Sequence, residues 1–400
     1  MQKNYSWNIL SYLSLLKARN MEKRPKNEKL FTKNFILTSL STITIFTSFY
    51  FLLVTLPIYI LKLGGSESEI GLIIGVFTIS AVLLRPFIGR ELDRSGRKKI
   101  LLAGSLVFLL STLLYNYTTS VTTLLLLRVL HGAGWGAATT AGSTLIADIA
   151  PPSRRGEAMG IFGMASNVAM AFGPALSIML LDSSNFPTLF AVSASIALVS
   201  LLLVLPISET IVVHPKTPLF SKEALFPSAM MFTVSLTYGS IVSFLSLFAQ
   251  KQGITNPGIF FTVFAITLII VRVLAGRLSD IKGRNYVIVP GLILITLGLW
   301  VLSTASTLSV FLISAFLYGL GFGFVHPSLM ALLVDRATEK TLGAAMGTFT
   351  AAFDLGIGAG SIVLGIVLQF YGFSIMYLLS GLIVLSGAIL FLAMNDKKGM

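Results

Sequence analysis

The sequence contains no cysteine, and only 11% of its 400 residues are charged. A typical soluble domain carries roughly 25% charged residues, because its surface must face water. The absence of cysteine excludes disulfides and thiolate metal sites. The scarcity of charge, together with 55% hydrophobic residues, excludes a water-soluble enzyme and a disordered chain. The composition therefore predicts a polytopic membrane protein.

Two patterns that would indicate other chemistry are also missing. No Gly-x-x-x-x-Gly-Lys-Ser/Thr phosphate-binding loop is present, which argues against a primary ATP-driven pump. The three histidines are widely spaced and do not form a metal-binding pattern. We therefore predict neither an enzyme activity nor a bound metal or cofactor.

Long apolar runs fill most of the chain. A membrane-spanning helix needs about 20 apolar residues. Barrel strands would instead alternate polar and apolar residues over about ten positions. We thus predict an all-α integral membrane fold with twelve spans, at roughly 35–61, 69–89, 100–118, 121–147, 157–181, 186–206, 226–250, 257–278, 286–305, 308–334, 342–370 and 372–394.

The excess of positive charge follows the predicted topology. With both termini in the cytoplasm, 24 of the 29 Lys and Arg residues fall in cytoplasmic segments, and only Lys62 and Lys251 fall in outer loops. This is a strong positive-inside bias. The net charge of +13 therefore reflects orientation and not nucleic-acid binding. We predict a multi-pass protein of the inner (plasma) membrane that acts as a monomer in the lipid bilayer.

A fixed offset of 187 residues relates the two halves of the chain. Each copy contains six helices, so both copies enter the membrane from the same side, as parallel repeats around a central cavity. The offset converts Arg85 to Arg272, Arg97 to Arg284, Asp148 to Asp335 and Gly173 to Gly360. We interpret the repeated arginines Arg85 and Arg272 as architectural. The predicted organisation is a tail at 1–34, a bundle at 35–206, a linker at 207–225, a second bundle at 226–395 and a tail at 396–400.

A glycine-rich, basic loop follows the second predicted helix. Glycine permits close helix approach and tight turns, and an aspartate near a helix end can accept bonds from backbone amides. The loop resembles the signature loop of the major facilitator superfamily, through Gly89, Asp93, Arg94, Gly96, Arg97, Lys98 and Lys99. A degenerate copy after helix 8 contains Gly276, Asp280, Gly283 and Arg284.

The resemblance implies a twelve-helix transporter in which this loop is a conformational latch. We expect its arginines to pair with Asp148 at the end of helix 4, and these contacts to form when the cytoplasmic side closes and break when it opens. The alternative is a static basic anchor, which Lys98 and Lys99 could supply alone.

Helix 4 contains an arginine within the membrane. Arg128, His131 and Trp135 share one helical face, and a buried arginine should face the bundle interior or a wet cavity. Arg128 and Gly132 resemble the Arg-x-x-x-Gly motif of proton-coupled members of the superfamily. The repeat places Ala315 opposite Arg128, and this asymmetry favours a functional role. His131 is either a cavity residue or a packed, hydrogen-bonded histidine.

Helix 5 resembles, in part, the motif of the drug:proton antiporters. Gly160, Gly173 and Pro174 match that motif, and the Gly173-Pro174 pair is expected to kink the helix. Where the motif has further glycines, this chain has Ala169, Ser177 and Ile178. The resemblance favours export, and a generic kink is the alternative.

Helix 11 contains Asp354, the acidic residue deepest within a predicted span. A carboxylate within the membrane could carry a proton, or it could form a structural ion pair with Arg272 or Arg128. Its counterpart in helix 5 is Asn167. His326 interrupts helix 10, and helix 1 lacks the acid found in many drug:proton antiporters. We predict a cavity that contains Arg128, His131, Asn167, His326 and Asp354.

These features together predict a secondary transporter that exports a drug or polar metabolite in exchange for protons. A uniporter and an uptake symporter remain open within the same class. A receptor-like or lipid-handling membrane protein without solute flux is the alternative from another class.

Overall fold

The computed structural model describes residues 29–151, 154–208, 221–338 and 341–396, which form long helices and, within those ranges, no strand. A short 3₁₀ turn, Tyr115–Tyr117, follows α3. Gly372 has a φ of 80° and divides the last helical stretch into α11 (342–371) and α12 (373–396). The remaining helices are α1 Lys33–Lys62, α2 Glu67–Ser95, α3 Arg97–Leu114, α4 Val121–Ile149, α5 Arg155–Ser183, α6 Phe186–Val204, α7 Leu225–Lys251, α8 Gly258–Lys282, α9 Asn285–Ser303 and α10 Leu308–Arg336.

The predicted all-α membrane fold is confirmed. Ten helical stretches among the described residues are long and apolar enough to cross a membrane, and one of these, Ala344–Met394, contains both α11 and α12. The apolar part of α8, Gly258–Arg272, is shorter. Helices satisfy every backbone group within one segment, which lipid requires. Most of the predicted tail 1–34 and linker 207–225, and nearly all of the tail 396–400, lie outside the described residues.

The helices form two halves, α1–α6 and α7–α12. The ends of α2, α3, α8, α9 and α10 that carry arginine and lysine share one side, which we call the basic side; the opposite side is the far side. Across the two halves, α2 packs against α11, α5 against α8 and α1 against α7. Three helices from each half therefore pack against the other half.

Glycines bring the halves together on the far side. A methyl group added to Gly71 of α2 would overlap the Ser361 carbonyl of α11. A methyl group added to Gly258 of α8 would overlap Ala175 of α5. Gly71 and Gly258 are separated by the repeat offset of 187, so the two contacts are equivalent. We call this pair of contacts the far-side seam.

The halves part toward the basic side. Gly89 lies 18 residues after Gly71, which is five full helical turns and hence the same face of α2. A methyl group on Gly89 would nevertheless meet no other atom within 4 Å. The same holds for Gly276, its repeat equivalent, and for the repeated pair Gly160 and Gly347. Among the described residues, the halves therefore meet on the far side and are apart at these glycines on the basic side.

The predicted loop after helix 2 is mostly helix. α2 continues to Ser95 and α3 begins at Arg97, so Gly96 alone joins them. Gly96 has a φ of 92°, and Gly283, its repeat equivalent after α8, has a φ of 94°. This left-handed backbone is open to glycine without steric cost. One glycine turns the chain, so the residues from Gly89 to Ser95 need not form a loop.

Candidate functional site

An ion pair joins the two halves within the predicted membrane spans. The Arg85 Nη2 atom of α2 lies 2.6 Å from the Asp354 Oδ2 atom of α11. Both side chains are mostly buried, with 20% and 17% of their surface exposed. Sequence reasoning proposed Arg272 or Arg128 as the partner and treated Arg85 as architectural. The proposed partners were wrong, because the packing of α2 against α11 brings Arg85 to Asp354. The architectural interpretation of Arg85 stays a prediction.

Two tyrosines and a methionine lie at the same interface. The Tyr238 hydroxyl of α7 donates to the Met170 sulfur of α5 at 3.2 Å. Tyr50 of α1 is a near neighbour of Tyr238 and lies within electrostatic range of Asp354. Each of these contacts crosses from one half to the other. The centre of the molecule therefore contains a small polar cluster next to the ion pair.

Two further predicted cavity residues, Asn167 and His326, lie on α5 and α10. Asn167 of α5 is 9% exposed. The His326 ring of α10 lies 5.8 Å from the Phe322 ring and 6.0 Å from the Phe353 ring, between centroids. His326 is also within electrostatic range of Arg272 of α8. Arg272 is thus placed near one of the predicted cavity residues, His326.

Arg128 and His131 lie elsewhere, inside the first half, and the prediction that they belong to the cavity was wrong. Arg128 is 1% exposed, and its Nε donates to the Ile73 carbonyl of α2 at 3.3 Å. Its guanidinium stacks 4.0 Å from the centroid of the Phe77 ring. The Arg128 Nη2 atom has no hydrogen-bond partner among the described residues. A carbonyl and an aromatic face can nevertheless hold a buried cation that lacks a carboxylate partner.

His131 is fully buried and hydrogen-bonded. The Tyr115 hydroxyl and the His131 Nδ1 atom are 2.8 Å apart, and the Phe108 ring packs 4.2 Å from the imidazole. All of these groups belong to the first half. The structure therefore matches the alternative of a packed histidine.

The predicted latch contains an ion pair that lies within one half. Arg97 Nε lies 2.8 Å from Asp148 Oδ2, and Arg97 Nη1 donates to the Leu92 carbonyl at 2.7 Å. Arg97 and Asp148 are paired in this conformation, and the expectation that the pair breaks when the basic side opens stays a prediction. Both partners belong to the same bundle, so separation of the halves does not strain the contact.

The second half repeats this arrangement. Arg284 Nε lies 2.9 Å from Asp335 Oδ2, and Arg284 Nη1 donates to the Ser279 hydroxyl at 3.0 Å. Arg94 is exposed. The side chains of Asp93 and Asp280 lie outside the described part of the structure, so their role in the latch stays a prediction.

Gly173 and Pro174 lie on the face of α5 that meets other helices. A methyl group on Gly173 would approach the Tyr50 side chain of α1 to 2.8 Å, and Pro174 lies beside Gly258 of α8. α5 continues through both residues to Ser183. The pair contributes to close packing at the far-side seam, and the kink stays a prediction.

Sequence reasoning missed Arg85, Tyr50, Tyr238 and Met170. Arg85 had a signal, because one offset relates both Arg85 to Arg272 and Asn167 to Asp354. The sequence therefore offered Arg85 as well as Arg272 as a candidate partner for Asp354. The tyrosines and the methionine had no such signal, since apolar and aromatic residues are abundant in every span.

Known proteins with similar sequences and structures cover nearly the whole chain. A transporter from Methanocaldococcus jannaschii, described as an uncharacterized MFS-type transporter, is 28% identical over 88% of this chain and 95% of its own length. The staphylopine export protein of Staphylococcus aureus is 24% identical over 88% and 93%. The crystal structure of a POT family transporter in complex with a thioalcohol-conjugated peptide shares the fold, with a TM-score of 0.78 at 12% identity over 91% of this chain and 96% of that one.

A family model matches the sequence of this chain directly. The family model described as Major Facilitator Superfamily matches residues 38–257 and residues 228–399. The two matches together span both halves of the molecule, in keeping with the internal repeat and the shared fold. The chain therefore belongs to the major facilitator superfamily and is one of its transporters.

Proposed function

We propose that this chain exports a small polar or zwitterionic molecule in exchange for protons. The observation that carries the proposal is the Arg85–Asp354 ion pair, which joins the two halves at 2.6 Å within the membrane. An ionised pair at this depth favours the conformation in which both charges meet. Proton binding to Asp354 removes one of the charges, so it weakens the contact between α2 and α11.

The same pair couples the proton to movement of the halves. It belongs to the conformation that is closed on the far side and open on the basic side. When the pair is lost, the described contacts that remain between α2 and α11 include the close approaches of Gly71 to Ser361 and of Gly75 to Gly358. The halves are then freer to exchange conformations. This is the requirement of alternating access, in which rigid bundles move around a central site.

The export direction has two supports. Among the relatives with full-length coverage is an exporter, the staphylopine export protein. The partial resemblance of α5 to the antiporter motif points the same way. With the basic side in the cytoplasm, as the positive-inside bias indicates, the open side of this structure faces the compartment from which an exporter collects its substrate. In this proposal, the protein is a monomer in the inner membrane.

The test is transport in everted membrane vesicles with an imposed pH gradient, acid inside. Staphylopine is the first substrate to try, because a relative exports it, and a lipophilic cationic dye represents the drug class. We expect gradient-driven accumulation of substrate together with proton release. Asp354→Asn should abolish accumulation above equilibrium while it preserves exchange of substrate down its gradient, because the variant cannot change its charge.

A matched control is Asp182→Asn, which removes an exposed carboxylate at the far-side end of α5. This variant should behave as the wild type. Unaltered coupling in Asp354→Asn would contradict the proposed role of the ion pair. Flux that follows the substrate gradient without pH dependence would indicate a uniporter, and proton-driven entry in right-side-out vesicles would indicate an uptake symporter. A protein that moves no solute would be receptor-like or lipid-handling.

A further inference from the structure

The internal repeat assigns a counterpart to the central ion pair. The offset of 187 converts Arg85 of α2 to Arg272 of α8, and it converts Asn167 of α5 to Asp354 of α11. The α8–α5 contact should therefore contain an arginine and a carboxylate, as the α2–α11 contact does. At the equivalent positions α8 carries an arginine and α5 carries an amide, so the negative charge is missing.

The two interhelical contacts have the same register. On one side Gly71 lies beside Ser361, and on the other Gly258 lies beside Ala175. The Thr262 hydroxyl of α8 also donates to the Ala171 carbonyl of α5 at 2.8 Å. Since the offset relates Gly71 to Gly258, the shared register assigns Arg272 and Asn167 to the positions on α8 and α5 that are equivalent to those of Arg85 and Asp354.

Arg272 has no counter-ion in the part of the chain that the structure describes. No described residue forms an ion pair or hydrogen bond with it, although its side chain is partly buried. Its near neighbour among titratable groups is His326, which cannot supply a negative charge. An arginine within a membrane is costly unless water or an anion satisfies it. The Arg272 guanidinium therefore lacks an anionic partner among the described residues.

We propose that Arg272, with Asn167 beside it, binds a carboxylate of the transported molecule. The substrate supplies the charge that Asp354 supplies on the other side of the cavity. A guanidinium binds a carboxylate through two parallel hydrogen bonds, and the Asn167 amide can donate a further one. The aromatic groups around His326, namely Phe322, Phe349 and Phe353, favour a substrate whose acid group is attached to a ring or another flat group.

This inference rests on the proposed transport function but has a test that needs no transport. The probe is hippurate, a small aromatic carboxylate, and its neutral control is hippuramide, which has the same shape without the charge. Binding is measured as the shift in unfolding temperature of the purified full-length protein in detergent. We expect hippurate to stabilise the wild-type protein more than hippuramide does at equal concentration.

Two substitutions should remove that difference by opposite means. Arg272→Gln removes the cation. Asn167→Asp restores the carboxylate of the repeat, so Arg272 gains an internal partner and no longer needs the ligand. In both variants the hippurate shift should fall to the hippuramide shift. Lys282→Gln removes a positive charge from the exposed end of the same helix and should leave the difference intact.

The absence of cysteine allows a rescue within one folded protein. Arg272→Cys would contain a single thiol, which can be modified by an aminoethyl or a sulfonatoethyl methanethiosulfonate. The aminoethyl group restores a positive charge and should recover the preference for hippurate. The sulfonatoethyl group adds a negative charge and should not recover it. Equal responses to the two reagents would overturn the proposal.

The outcomes separate this inference from the proposed function. A preference for hippurate that survives in Arg272→Gln, or its absence from the wild-type protein, overturns the carboxylate site even if the protein is an exporter. A preference that depends on Arg272 in a protein that moves no solute supports the site and contradicts export.

Discussion

The two halves contain the same basic-side turn at two different depths. In the first half, the side chains of Arg97 and Asp148 are 1% and 5% exposed. In the second half, those of Arg284 and Asp335 are 21% and 51% exposed. The distances agree, at 2.8 and 2.9 Å. Duplication has preserved the geometry, whereas burial, and hence the free energy that depends on it, differs between the copies.

The largest expected effect comes from removing the arginine of each turn. Arg97→Met deprives a buried carboxylate of its ion pair, which should cost about 3–5 kcal/mol of the free energy of unfolding. Arg284→Met removes a more exposed pair, which should cost about 0–1 kcal/mol. Thermal unfolding of the two purified variants measures the difference. Arg94→Met, at an exposed position beside the first turn, is the control and should have no effect. Equal destabilisation of the two halves would contradict the argument from burial.

The second prediction tests a contact that the halves share equally. Gly71→Val and Gly258→Val each place side-chain atoms into the far-side seam, and overpacking of this kind should cost about 1–3 kcal/mol. We expect both variants to favour the conformation that is open on the far side. In the cysteine-free protein, spin labels at Ser68 and Tyr371 would report this as a longer distance between α2 and α11.

Gly89→Val is the control for that experiment, because Gly89 lies on the same face of α2 but faces open space. It should leave the label distance unchanged in this conformation. An equal effect of Gly71→Val and Gly89→Val would show that the seam is not specific to the far side.

The smallest expected effect concerns serines between α1 and α6. The Ser48 and Ser193 hydroxyls are 2.9 Å apart and each donates to the backbone of the other helix. Their repeat equivalents, Ser235 and Ser380, bond to carbonyls of their own helices. Ser48→Ala should therefore cost about 0.6 kcal/mol, whereas Ser380→Ala should be close to neutral. The unfolding temperatures of the two purified variants measure this difference. A larger decrease in Ser380→Ala than in Ser48→Ala would contradict the prediction.

The sequence was sufficient for the fold because lipid leaves few choices. Apolar length and the positive-inside bias specify the spans, and the offset of 187 identifies the two halves. The candidate site was harder to predict from the sequence than the fold. The same offset aligns Arg85 with Arg272 and Asn167 with Asp354, but it does not say which arginine meets Asp354. That depends on α2 crossing α11, which is a property of the packed bundle.

Arg128 illustrates a different limit of prediction from the sequence. Ala315 occupies the matching position in the second half, so Arg128 has no repeat equivalent. This asymmetry led to the prediction that Arg128 faces the cavity. The groups that contact Arg128 include the Ile73 carbonyl and the Phe77 ring. A backbone carbonyl has no signature in a sequence, so a cation with such a partner cannot be distinguished from a cation that faces a cavity.

The single-glycine turn at Gly96 also determines where the chain can tolerate added residues. α2 ends at Ser95 and α3 begins at Arg97, so an insertion here would rotate Arg97 away from Asp148. Epitope tags and sensor domains placed at this turn, or at Gly283, should therefore disrupt assembly of the half that receives them. Natural length variation among relatives is expected to avoid both turns for the same reason.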